Sequence, residues 1–192
     1  MAVAGRQRRV RSDSLANRER ILATAARLFG ERGVDVPLDE IAAVAGVGSA
    51  TLHRHFQGRV ELVHFVLDTQ ADRLAARAEV LLTRGEREGA LRVWLMELIQ
   101  FTMSFRGLAV LLADHGADTT LQARHRELTD ACRRLLASAQ ANGHIRSTID
   151  ASDLLKLAHG IAVAAAGSVD TAAHLLDLIT DGLRIPLARN YG

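Results

Sequence analysis

Apolar residues recur along this chain three and four positions apart, with no run of strand-like alternation, so the pattern predicts helices throughout. From Ser12–Asn17 onward, Ile21, Leu22, Ala25, Leu28 and Phe29 form one stripe, and Gly33 can close that first helix. A short second helix is predicted over Leu38–Ala45, with Leu38, Ile41, Ala42 and Ala45 on one face. Asp39 and Glu40 fall in its first turn, where the helix dipole favours acids. Gly46-Val47-Gly48 breaks it, and Ser49–Phe56 follows as a third helix with Leu52 and Phe56 one turn apart on its inner side. Two short helices joined by a glycine turn are a helix-turn-helix pattern. After Gln57-Gly58, a long fourth helix is predicted from Arg59 to about Thr83, carried by Leu62, Val63, Val66, Leu67, Leu74 and Leu81.

Past Arg84-Gly85-Glu86 the spacing predicts five more helices, over Glu88–Phe105, Leu108–His115, Thr119–Asn142, Ser152–Ala166 and Thr171–Ile185. Gly107, Gly116, Gly143 and Gly167 punctuate them, Asp150 or Ser152 can cap the fourth, and Pro186 stops the fifth. The expected fold is all-α, with about nine helices.

Composition narrows the class. The 192 residues are 48% hydrophobic and 24% charged, with two prolines, which excludes disorder and collagen and favours helix. The single cysteine, Cys132, excludes an internal disulfide framework and a multi-cysteine zinc site. No apolar run approaches the roughly 18 residues of a membrane span, and Arg6, Arg8 and Arg9 near the start have no apolar block behind them. A cytoplasmic protein without a membrane partner is expected. The net charge is only +2, but its placement is uneven. Residues 1–59 hold ten arginines against six acids, and the remainder holds fourteen basic residues against sixteen acids. A basic head on a mildly acidic body points to a polyanion partner, with a plain solvated tail as the alternative.

The run Ile41-Ala42-Ala43-Val44-Ala45-Gly46-Val47-Gly48-Ser49-Ala50-Thr51-Leu52-His53-Arg54-His55-Phe56-Gln57-Gly58-Arg59-Val60-Glu61-Leu62 resembles the DNA-binding domain of TetR-family transcriptional regulators. Ile21 through Gly33 is similar to that family's first helix, so the resemblance covers about residues 17–65. Further on, Gly143-His144-Ile145-Arg146 before an Asp-x-x-Asp-Leu-Leu helix is similar to members with an all-helical C-terminal domain. The arginine-rich residues 1–11 read as a basic disordered arm, for DNA or as a plain tail, and the resemblance implies a three-helix DNA-binding domain at 12–60. A long fourth helix would then lead into an effector-binding and dimerisation domain at 61–192.

On the third helix, the inward Leu52 and Phe56 leave Ser49, Ala50, Thr51, His53 and Arg54 on the outer side, with His55 beside them. That polar face is small enough for the roughly 12 Å major groove, where Arg54 can reach guanine or phosphate and Ser49 and Thr51 can bond either. Solvation alone is the competing explanation. Three positions depart from the family pattern, one of them Gly58, which stands in place of the more usual capping residue before the fourth helix. His53 stands where the family commonly has a phosphate-binding Tyr, and a neutral His retains one N–H donor. Arg59 matches the basic residue, usually Lys, that holds a phosphate at the start of the fourth helix. Val36-Pro37-Leu38 lacks the usual hydroxyl at the start of the second helix. The arm contributes Arg6, Arg8, Arg9 and Arg11, which suit a minor groove or a line of phosphates.

The two predicted helices 152–166 and 171–185 are apolar over more than one face, which suggests a two-fold four-helix contact. Leu154, Ile161, Ala162, Ala165, Leu175, Leu178 and Ile179 are the expected contact residues, with an Ala-rich monomer core as the alternative. The resemblance also implies a homodimer through the last two long helices. Trp94, Phe101, Met103, Phe105, His115 and His159 are candidates for an apolar effector pocket, the alternative being that the aromatics are plain core. No HExxH, glycine-rich phosphate loop or GxSxG is present, so no catalytic residue, metal ligand or cofactor is expected. The expected function is a homodimeric repressor that binds a palindromic double-stranded operator and is released by a small-molecule effector. A helical interaction module with a weakened DNA-binding head is the alternative.

Overall fold

The structure, a computed structural model, describes residues 2–83, 89–105, 119–143 and 145–183; side chains are described from residue 13, and from residue 123 in the helix starting at Thr119. Among these residues there are eight helices. They are α1 (Ala2–Arg32), α2 (Leu38–Val44), α3 (Ser49–His55), α4 (Arg59–Thr83), α5 (Ala90–Ser104), α6 (Thr119–Ala141), α7 (Ala151–Ala164) and α8 (Val169–Leu183). The helix predicted over Leu108–His115 lies outside the described residues. The fold is all-α, and the ends of α2 to α8 follow the predicted spacing closely. At the amino end the reading changes: α1 begins at Ala2, so residues 2–11, expected as a disordered arm, have helical backbone. This stretch has no proline, and its Ala, Arg and Gln are strong helix formers.

The described chain divides into two units, one running to Thr69 and including Ser104 and Phe105, the other covering Gln70–Met103 and the residues from Thr119 on. The division falls inside α4. In the first unit, Ile21, Ala25, Leu28 and Phe29 of α1 are buried with Ile41 and Ala42 of α2, Leu52 of α3 and Leu62, Val63 and Val66 of α4. Val34 and Val36, in the turn between α1 and α2, are buried as well, so this turn carries core as well as direction. Each fully buried Leu, Ile or Phe contributes about 1.5–3 kcal/mol, and that packing is what holds helices as short as α2 and α3. Gly33, at φ +83°, closes α1 with its N–H donating to the Phe29 carbonyl at 2.8 Å.

The second unit is built on α5. Its Leu91, Trp94, Leu95, Leu98 and Ile99 pack into one core with Leu74, Ala78 and Leu81 of α4, Leu135 and Leu136 of α6, Leu154 and Ile161 of α7 and Leu176 of α8. Asp150 caps α7 by accepting from the Asp153 N–H at 2.9 Å, and the Gln140 side chain donates to the Arg146 and Ile149 carbonyls, tying down the turn that leads there. Arg77–Glu97, Arg92–Asp177 and Arg124–Asp72 cross between helices at the surface. Such partly exposed pairs set register more than they stabilise. No helix among the described residues is long and apolar enough to cross a membrane.

Candidate nucleic-acid interface

The α2–α3 junction is a helix-ending motif followed at once by a helix start. The Val47 N–H donates to the Ala42 carbonyl at 3.0 Å and the Gly46 N–H to the Ala43 carbonyl at 3.1 Å, with Gly46 at φ +68°. This pair of bonds needs one residue in the left-handed region, which only glycine enters without strain. Gly48 then begins α3, its carbonyl accepting from Thr51 and Leu52.

The inner side of α3 is anchored by two residues with no exposure, Leu52 and Phe56. The Phe56 ring meets Phe65 of α4 edge-on, with centroids 5.8 Å apart, and the Arg18 guanidinium of α1 lies over both rings, 4.9 Å from Phe56 and 4.0 Å from Phe65. Sequence reading missed Arg18, because a cation–π contact across three elements leaves no periodic signal. With that side fixed, Ser49, Ala50, His53 and Arg54 are exposed, while Thr51 and His55 are half-buried.

The outer residues are already linked to one another. Arg54 lies back along α3, its Nη2 donating to Thr51 Oγ1 at 2.9 Å and its Nε to the Ala50 carbonyl at 3.2 Å. A guanidinium has five N–H donors, so this arrangement holds Arg54 in place and still leaves donors for a base edge or phosphate. Ser49 Oγ donates to Asp39 Oδ1 of α2 at 2.5 Å.

Arg59 is used differently from the sequence expectation. Its Nη1 donates to the Val34 carbonyl and, at 2.7 Å, to the Val36 carbonyl, so this half-buried guanidinium braces the α1–α2 turn. The expected phosphate role is left only to its other N–H groups. Glu61 was also not singled out: its carboxylate accepts from the Gln57 N–H at 2.5 Å, satisfying a donor at the start of α4 where Gly58 has no side chain to do so. Arg32 pairs with Glu40 through two bonds, which hold its pKa above the ordinary value and tie the end of α1 to α2. Arg6, Arg8, Arg9 and Arg11 lie on the first turns of α1, and their side chains are outside the described part.

The other two candidate sets fare unevenly. Trp94 has no exposure, and its indole N–H donates to the Leu74 carbonyl at 2.8 Å; it is a satisfied core residue, which matches the plain-core alternative. Phe101 and Met103 pack half-buried against the same core, whereas His159 is exposed on α7 and Phe105 is buried in the first unit. His115 lies outside the described residues. Of the expected dimer contacts, Leu154, Ile161, Ala162 and Ala165 are buried in the chain's own core. An apolar excess around a helix does not reveal which side its own domain covers. Leu175 and Ile179 are half-buried, and Leu178 is 58% exposed. The uncovered apolar residues on α7 are Leu157 and Val163, with Gly160 and Ala164 beside them.

Comparison with known proteins agrees with this geometry. Residues 21–66 match the family model described as bacterial regulatory proteins, tetR family, and residues 86–185 match the model described as transcriptional regulator SbtR-like, C-terminal domain. A solved TetR transcriptional regulator from Streptomyces coelicolor is 34% identical, with a TM-score of 0.77 over 88% of this chain and 99% of that one. A TetR transcription regulatory protein from Mycobacterium vanbaalenii is 30% identical, with a TM-score of 0.72 over 92% of this chain and 99% of that one. An HTH-type transcriptional regulator of Staphylococcus aureus (strain USA300) is 38% identical over 64 residues, 33% of this chain. The match spans only 35% of that relative's length.

Proposed function

Because the chain belongs to the TetR family of DNA-binding transcriptional regulators, we propose that it is a homodimeric repressor that reads a palindromic operator through α3 and releases it when a small molecule binds. The observation that carries the reading is the division of α3 into a fully buried inner side, Leu52 with Phe56, and an exposed polar side, Ser49, Ala50, His53 and Arg54. A helix held that firmly from behind presents its polar side chains with little left to order on binding. Arg54 and Thr51 supply donors for base edges or phosphates, His53 supplies one N–H where the family pattern has a Tyr hydroxyl, and the arginines at 6, 8, 9 and 11 add sequence-independent attraction.

The dimer is assigned to α7 and α8 through the apolar residues that each chain leaves uncovered, Leu157, Val163 and Leu178, with Gly160 and Ala164 allowing close approach. To read a palindromic site, the dimer must present its two copies of α3 one turn of DNA apart, about 34–36 Å. The effector is assigned to the second unit, and release is a two-state shift biased by a ligand that binds the DNA-free form more tightly. The test is selection of bound sequences from random duplexes, followed by titration of the selected site across salt concentrations. Enrichment of an inverted repeat, with affinity falling linearly in log salt, is the expected result. Absence of any enriched sequence contradicts the reading.

A further inference from the structure

The Ser49–Asp39 bond joins two helices at the edge of the proposed reading surface, and its direction is fixed by chemistry. An ionised carboxylate has no hydrogen to give, so the serine hydroxyl must donate its only one to Asp39 Oδ1, at 2.5 Å. Both residues are exposed. With its hydrogen committed, Ser49 offers only lone pairs outward, and the carboxylate beside it also offers only acceptors. Further along α3, at Thr51 and Arg54, the polarity reverses. Thr51 Oγ1 already accepts from Arg54 Nη2 at 2.9 Å, which leaves the threonine hydrogen and the remaining guanidinium N–H groups as donors.

Base edges in the major groove differ in the same terms. Cytosine N4 and adenine N6 are amine donors, whereas guanine O6 and N7 and thymine O4 accept. We infer that Asp39 is a specificity-determining residue: by holding Ser49 as an acceptor, it makes the Ser49 end of α3 select an amine-bearing base, cytosine or adenine, while the Thr51–Arg54 end takes acceptor edges. Asp39 acts through Ser49, and its charge opposes a phosphate contact at that end. The inference rests on the reading that α3 enters the groove.

The test compares sequences selected from random duplexes by the wild-type protein, by Asp39→Asn and by Ser49→Ala, with circular dichroism melting to verify the fold of each. In Asp39→Asn the side-chain amide can donate to Ser49 and free the hydroxyl hydrogen. Wild type is expected to enrich cytosine or adenine at one position of each half-site. Asp39→Asn should reduce that preference about fivefold or more, or shift it toward guanine or thymine, and Ser49→Ala should flatten the same position. Preferences elsewhere in the site should persist. If the bond only staples α2 to α3, both variants lower affinity or melting temperature evenly and leave every base preference in place, which overturns this inference alone. A wild-type motif with no amine-base position also overturns it while leaving the DNA-reading role intact. A wild type that enriches no sequence overturns both.

Discussion

Replacing Leu178 by Glu separates the proposed dimer face from the core of the chain. Leu178 is 58% exposed on α8, so within one chain the substitution touches little, and surface changes of this kind stay within about 0.5 kcal/mol. In the proposed dimer the same side chain is covered. Full burial of a leucine contributes about 1.5–3 kcal/mol, so covering its exposed part contributes about 0.9–1.7, and two-fold symmetry counts it twice, about 1.7–3.5 kcal/mol per dimer. Glu forfeits that and adds the cost of an unpaired charge at the contact. The dimer dissociation constant should rise a hundredfold or more. Ala162→Glu is the contrast: Ala162 is only 5% exposed inside the core, so a charge there should unfold the chain rather than separate two folded ones. Sedimentation velocity at micromolar concentration, with helicity measured by circular dichroism, reads both. Leu178→Glu should sediment as a folded monomer. A Leu178→Glu protein that remains a dimer refutes the assignment of α8 to the contact.

Arg59→Ala removes two donors from carbonyls in the α1–α2 turn, so chemical denaturation should show a loss of about 1–3 kcal/mol, and a variant with unaltered stability but weaker DNA binding would restore the phosphate role. Gly46→Ala forces a Cβ onto a residue at φ +68° and should cost about 1–2 kcal/mol of stability, read from the same denaturation curves, although space is open around it. Burial pushes the Cys132 thiol up from its ordinary 9.0 to about 12, so alkylation at pH 8 should be negligible in the folded protein and rapid once it is unfolded. Because the unfolded chain ionises first, Cys132 should also make stability fall as pH rises from 9.0 toward 12, an effect that Cys132→Ala should remove.

What could be read from the sequence was what local chain physics decides. The spacing of Ile21, Ala25, Leu28 and Phe29 and the Gly46-Val47-Gly48 turn specify α1, α2 and α3 without reference to the rest of the chain, and the outer residues of α3 follow from the inner ones. What could not be read depends on partners distant in sequence. Arg59 meets carbonyls more than twenty residues earlier, and Arg18 meets Phe56 and Phe65, so their composition alone suggested solvent or phosphate. Trp94 illustrates the same limit in the second unit: an aromatic on an apolar helix reads equally as core or as cavity wall until its neighbours are known, and the bond to Leu74 decides it. Leu154 and Leu178 are equally apolar, and only the packing of α7 and α8 on the core shows that the first is used and the second is free.

The central claim, that α3 reads a specific site, is tested most directly by fluorescence anisotropy titration of a selected duplex and a shuffled duplex of the same composition, using wild type and the Thr51→Ala/Arg54→Ala double variant. The account predicts that wild type binds the selected duplex at least a thousandfold more tightly than the shuffled one, roughly the lower end for specific regulators. The double variant should lose about 2–6 kcal/mol on the selected duplex, since each side chain contributes about 1–3, and far less on the shuffled one. Equal affinity of the wild type for both duplexes, or equal losses on both in the variant, would contradict it.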